Sequence, residues 1–180
     1  MERPDRVSSE STGSKPEQPV HIGLGEIGLD GIMAGVIGAS AIALFFLVVD
    51  LVRFEPLFTP SMLGSAILKG VTPSAEIPVD MSMVGAYTLL HGGLFALVGC
   101  LGAWALVQRG TSPGLGIVST ILFAIFEFGS IAAAAIYLPT LIPLLGAGTI
   151  TLGNLLSALA MGAYLHDWQP HPGDRLAAAH

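Results

Sequence analysis

The sequence predicts an all-α membrane protein: a bundle of four transmembrane helices with a short interfacial helix between helices 1 and 2. Three observations carry this expectation. Of 180 residues, 52% are hydrophobic and 11% charged, whereas about a quarter of a soluble domain is charged. Four apolar runs, at about 31–52, 82–108, 115–137 and 141–166, each match the roughly 20 residues that cross a hydrocarbon core at 1.5 Å rise per residue. The link between the last two, Leu138-Pro139-Thr140, is so brief that these spans must form an antiparallel hairpin.

In chain order, residues 1–20 hold SSESTGSKPEQP. Such a stretch has too few apolar side chains to offset the entropy of ordering, and it reads as a disordered tail. It also lacks the apolar core of a secretory signal, so the first membrane helix is expected to be retained. VHIGLGEIGLD, 20–30, carries three glycines and reads as an interfacial lead-in rather than a stable helix. In the first span Gly31, Gly35, Ala39 and Ala43 recur every four residues and make a smooth face for a neighbouring helix. Asp50 and Arg53, three residues apart near its end, read as an ion pair at the membrane boundary.

The longest loop, about 53–80, contains Thr59-Pro60 as an N-cap and first helical residue, an apolar face of Met62, Leu63, Ala66 and Ile67, and Gly70 as a stop. That helix is too short to span and is expected to lie at the interface, with Phe54, Leu57 and Phe58 dipping into the headgroups. The second span has its own small ladder, Gly92, Ala96 and Cys100. RGTSPG turns the chain into the third span, and the fourth has Pro143 in its first turn, where a missing N–H does no harm. Residues 169–180 form a short C-terminal tail, which makes 21–168 the membrane domain. Four spans put both termini on one side, with Arg3, Arg6, Lys15, Arg109 and Arg175 there against Arg53 and Lys69 opposite. The excess of cations predicts cytoplasmic termini.

The residue that most needs explaining is Glu127, in the middle of the third span. An ionised side chain at the bilayer centre costs roughly 2.5 kcal/mol or more on insertion scales, so it should face other helices, bind a proton or have a partner. Asn154 falls within about one residue of its own span's midpoint, and His91 about four residues, or roughly 6 Å, from its own. Three polar side chains at similar depth predict a buried cluster of His91, Glu127 and Asn154. Tyr87, Thr88 and Thr151 could extend a polar path from it.

Three purposes fit such a cluster. Its hydrogen bonds could lock helix faces together; its carboxylate and imidazole could carry protons; or it could hold a haem or a quinone. Enzyme and cofactor classes have little support. A bis-histidine haem needs two histidines inside the membrane, and only His91 qualifies, His21, His166, His171 and His180 lying in tails or at an interface. The single cysteine, Cys100, rules out a thiol pair and reads as a packing residue. There is no H-E-x-x-H, no serine within a span sits in a G-x-S-x-G setting, and Gly23-Leu24-Gly25 follows no strand and precedes no suitably spaced lysine. A net charge of −6, from 13 acidic and 7 basic residues, leaves no nucleic-acid footprint. No metal or cofactor is expected.

FFLVVDLVRFEPLFTPSMLGSAIL, YTLLHGGLFALVG, FEFG and GNLLSALAMGAYL, with Asp50, Glu55-Pro56, Thr59-Pro60, His91, Glu127 and Asn154 in that order, resemble small four-helix bacterial integral membrane proteins of unassigned function. The resemblance covers about residues 31–166. It implies a bacterial inner-membrane location and supplies no activity or catalytic residue. The expectation is therefore a non-enzymatic scaffold or accessory subunit, in contact with lipid and with a second copy or a membrane-protein partner. The alternative is a small proton-linked transporter or channel using Glu127 and His91.

Overall fold

The computed structural model describes residues 24–109, 114–137 and 139–167. The predicted tails at 1–20 and 169–180 and the centre of the RGTSPG turn lie outside these. Among the described residues all regular structure is helical: α1 (Leu24–Val52), α2 (Phe58–Lys69), α3 (Met81–Arg109), α4 (Leu115–Tyr137), α5 (Leu141–Leu145) and α6 (Ala147–Asp167). Three stretches, Ile27–Val52, Met81–Leu106 and Ala147–Asp167, are long and apolar enough to cross a membrane, while that of α4, Ile117–Ala133, is shorter. Only 22% of the most apolar part of α1 and 17% of that of α3 are buried within the protein. Side chains such as Leu44, Leu89 and Phe128 therefore point outward. Water would not tolerate so much apolar surface, and a bilayer does. The chain is a helical membrane protein.

Small residues decide how closely the helices approach. At the crossing of α1 and α3, a Cβ on Gly31 would overlap Cys100, one on Gly35 would overlap the Phe95 carbonyl, and one on Gly99 would overlap the Gly31 carbonyl. The two backbones touch there. On its other side α1 packs against α6, where Ser157 donates its hydroxyl to the Gly38 carbonyl at 2.9 Å and Gly153 leaves room for Ile42, Phe45 and Phe46. α4 packs on α6, with Ser119 seated against Gly162. Ala34, Ala103, Leu122, Ala158, Met161 and Leu165 fill the interior.

Two helices depart from the sequence expectation. The lead-in at 20–30 is helical from Leu24, because Ile27 is buried in the core and Tyr164 donates its hydroxyl to Asp30 Oδ1 at 3.2 Å. These tertiary contacts outweigh the helix-weakening glycines at 25 and 28. The run at 141–166 is broken between α5 and α6 at Gly146, whose φ of 84° only glycine adopts freely.

α2 is a brace held at both ends by carboxylates. Asp50, fully buried, accepts the Thr59 N–H at 2.8 Å and the Thr59 hydroxyl at 2.6 Å. The expected Asp50–Arg53 ion pair does not form: both Asp50 oxygens are taken by Thr59, and Lys69 pairs with Asp80. Thr59 is likewise not the cap. The helix begins at Phe58 after Leu57, which is in the left-handed region with no side-chain cap, so Asp50 supplies the missing acceptor from α1. Phe58, expected among the headgroups, is buried with Met62 and Leu145. At the far end Gly70, with φ 68°, turns its N–H back to the Ser65 carbonyl.

Asp80 then starts α3. Its Oδ1 accepts the Ser82 N–H at 2.9 Å and the Ser82 hydroxyl at 2.6 Å, its Oδ2 accepts Lys69 Nζ at 2.9 Å, and its own N–H donates to Ser61 Oγ at 2.7 Å. The Ser82 hydroxyl first, and then the Lys69 ammonium, hold the Asp80 carboxyl well below its ordinary value of 3.8. As pH falls below that value the unfolded chain gains a proton that the folded chain resists, so this stabilisation is present at neutral pH and fades in acid. Thermal unfolding in detergent at neutral pH and near pH 3 should show Asp80→Asn losing less stability on acidification than wild type. Equal acid losses in the two proteins would remove Asp80 as a contributor.

Candidate functional site

Glu127 sits on the face of α4 that packs against α6. Its Oε1 accepts the Thr151 hydroxyl at 2.6 Å, and its Oε2 accepts Asn154 Nδ2 at 2.8 Å. The same Asn154 nitrogen donates to Ser130 Oγ at 3.0 Å, and Ser130 in turn donates to the Glu127 carbonyl at 3.0 Å. The local reason is spacing. Glu127 and Ser130 are three apart on α4, Thr151 and Asn154 three apart on α6, and an i,i+3 pair shares one face of a helix. The two pairs meet as a clasp. Both amide hydrogens of Asn154 are used, and both carboxylate oxygens have a donor.

The break at Gly146 places Thr151 near the start of α6, where the N–H groups of Thr149 and Ile150 point to the Gly146 carbonyl. A cavity of about 30 Å³ adjoins Glu127 and Ser130, lined otherwise by Ile131, Ile142, Ala147 and Ile150. It has room for a water beside the two lone-pair positions left free on the carboxylate.

His91 stands elsewhere. Its ring stacks on Tyr87 at 5.4 Å and lies against Phe95 at 4.5 Å, and Phe95 stacks on Phe126 of α4 at 4.6 Å. No hydrogen bond joins it to Glu127 or Asn154 among the described residues. The small ladder of α3 is turned towards α1, and His91, next to Gly92, follows that face into a cleft it shares with Tyr87 and Thr88. Thr88 donates to the Val84 carbonyl of its own helix at 2.7 Å. The six predicted residues thus fall into two groups: Glu127, Asn154 and Thr151 between α4 and α6, and His91, Tyr87 and Thr88 between α3 and α1.

Sequence reasoning passed over Asp80, although an aspartate two residues before a serine at the head of an apolar run is an N-cap signal. It also missed the partner of Asp50, for which no local signal exists. Among the described residues no group of three or more histidine, cysteine or acidic side chains could hold a metal ion.

Fold and clasp together define a helical membrane protein with a hydrogen-bonded carboxylate between two of its helices. Comparison with protein-family models, with curated proteins and with solved structures found no match for the chain.

Proposed function

We propose that the chain is a non-enzymatic, multi-pass protein of the bacterial inner membrane that serves as a scaffold or accessory subunit. In this reading α1, α3, α4 and the broken α5–α6 pair are four crossings, both termini are cytoplasmic, and α2 braces the outer end at the interface. The observation that carries it is the hydrogen bonding of Glu127 across the helix contact. Both oxygens take donors from α6 alone, so the carboxylate acts as a fastener that fixes which faces of α4 and α6 meet. With α4 fastened by its inner face, its outer face leaves Ile125, Gly129, Ala132 and Ile136 exposed. That face suits a second copy or a membrane-protein partner. Proton-linked transport through Glu127 and His91 is the weaker reading, since His91 reaches α4 only through the rings of Phe95 and Phe126.

The test combines stability and flux. Glu127→Gln keeps an acceptor for Asn154 and presents an amide donor to the Thr151 hydroxyl, which can turn to accept it, so this variant should unfold in detergent close to wild type. Glu127→Leu strands Thr151 and Asn154 and should lose about 1–4 kcal/mol, at roughly 0.6–2 kcal/mol for each of the two intramembrane polar contacts. In liposomes under an imposed pH gradient, wild type and Glu127→Gln should be equally silent. Equal stability of the three proteins, or a proton flux that vanishes in Glu127→Gln, would overturn the proposal.

A further inference from the structure

α1 and α3 touch at Gly31, Gly35 and Gly99 and then diverge towards α2, which sits across the fork. The fork encloses a cleft of about 400 Å³, floored by Leu57, Thr59 and Leu63 and walled by the two helices. That volume is within the roughly 300–1,000 Å³ usual for small-molecule sites. Val36, Ser40 and Leu44 on α1 and Thr88 on α3 line it and are themselves exposed, so it opens sideways from the apolar stretches of both helices. What enters it must come from lipid.

Its chemistry is selective. No lysine or arginine lines the cleft, and its one carboxylate, Asp50, is fully buried with both oxygens occupied by Thr59. Against this apolar wall stand three polar groups without a protein hydrogen bond among the described residues: the hydroxyl of Ser40 on α1 and, stacked on one another on α3, the imidazole of His91 and the phenol of Tyr87. Polar groups held away from water are stable only with a partner. They also lie deep. Tyr87 and His91 are six and ten residues into α3, or about 9 and 15 Å from its start at 1.5 Å per residue. A phosphate, carboxylate or ammonium carried to that depth would meet a large desolvation cost with no counter-charge waiting. A small uncharged oxygen head would not.

We infer that the α1–α3 cleft is a binding site for a neutral amphipathic lipid, whose chain fills the fork and whose hydroxyl or carbonyl oxygen hydrogen-bonds to His91 and Tyr87. The carbonyl or hydroxyl accepts from the phenol and from whichever imidazole nitrogen carries the proton. The stacked rings of Tyr87 and His91 form the wall beside the head, with Phe95 packed against His91.

Two adjacent glycines make the test. A Cβ added at Gly92 or at Gly93 would meet nothing within 4 Å, and only Gly92 lines the cleft. Neither position opposes an added Cβ, and leucine favours helix over glycine. Gly92→Leu should fill the site, and Gly93→Leu should not. The experiment uses the full-length protein in lipid nanodiscs, a photoreactive diazirine alkanol as probe, and peptide mass spectrometry to locate the label. Competitors are decanol, decanoate and decyltrimethylammonium, which share one chain and differ in head charge. The expected result is saturable labelling on 36–47 and 84–92, displaced by decanol but not by either ion. Labelling should be lost in Gly92→Leu, kept in Gly93→Leu, and about tenfold weaker in affinity in His91→Phe, as the loss of one hydrogen bond in an apolar site implies. Uniform, unsaturable labelling of all lipid-facing helices would overturn the inference. So would equal labelling of the two leucine variants, unchanged affinity in His91→Phe, or displacement by an ion as readily as by decanol.

Discussion

Gly99→Ala is expected to be among the most damaging single-methyl substitutions in this protein, lowering stability despite adding a better helix former. The added Cβ would fall on the Gly31 carbonyl oxygen, 2.8 Å from the Gly35 nitrogen and 3.0 Å from the Gly31 carbonyl carbon. All three are backbone atoms of a helix, so no rotamer change can make room. α1 and α3 must move apart, and the neighbouring contacts of Gly35 with Phe95 and of Gly31 with Cys100 loosen with them. Overpacking of this kind costs about 1–3 kcal/mol and occasionally more, against a gain of about 1 kcal/mol from replacing glycine in a helix. The clash should win by up to about 2 kcal/mol. Gly93→Ala is the control, since it has the same propensity gain and meets nothing within 4 Å. Reversible unfolding of the three proteins in mixed micelles should rank Gly93→Ala at or above wild type and Gly99→Ala below it. A Gly99→Ala protein as stable as wild type would mean that the two backbones are not in contact there.

Asp50→Ala should be worse still. Asp50 is fully buried, and its carboxylate holds both the backbone N–H and the hydroxyl of Thr59. Truncation strands two buried donors and uncaps α2 at a point where the chain already holds Phe54 and Leu57 in the left-handed region, at φ 60° and 66°. Hydrogen bonds to charged groups contribute about 1.5–3 kcal/mol each and a lost cap about 1 kcal/mol, overlapping terms that together imply a loss of about 3–4 kcal/mol. Thr59→Val should destabilise in the same direction, and the double variant should lose less than the sum of the two, because each removes the same interaction. Arg53→Ala should change stability by less than about 0.5 kcal/mol, as an exposed side chain without an ion pair would. A large loss in Arg53→Ala with a small one in Asp50→Ala would restore the boundary ion pair in place of the cap.

These two sites show how far linear reading reaches. Gly31 and Gly35 on one span and Ala96 and Cys100 on another are visible as smooth faces, since a four-residue repeat of small side chains marks one side of a helix wherever it occurs. That the two faces meet is a fact about neighbours. The same holds for Glu127. Its need for a partner follows from the cost of charge in hydrocarbon, and the shared face of Thr151 and Asn154 follows from their spacing. The alignment of that face with α4, and of the His91 face with α1, follows from the order of helices around the bundle, and depth alone put His91 too near the carboxylate. Asp50 is the sharpest case. Arg53 lies within local reach, three residues on and just past the end of α1, and the carboxylate turned instead to Thr59, nine residues on and across a turn.

Hydropathy and composition were enough to establish the solvent of this protein and the helical class of its fold, because bilayer thickness and the need to satisfy every backbone N–H and C=O act on each segment separately. Packing in three dimensions was needed to establish that α1 begins at Leu24, that the last span breaks at Gly146, and which polar groups meet. Those outcomes depend on close approach between helices distant in the chain, where one missing Cβ or one carboxylate partner outweighs any local preference.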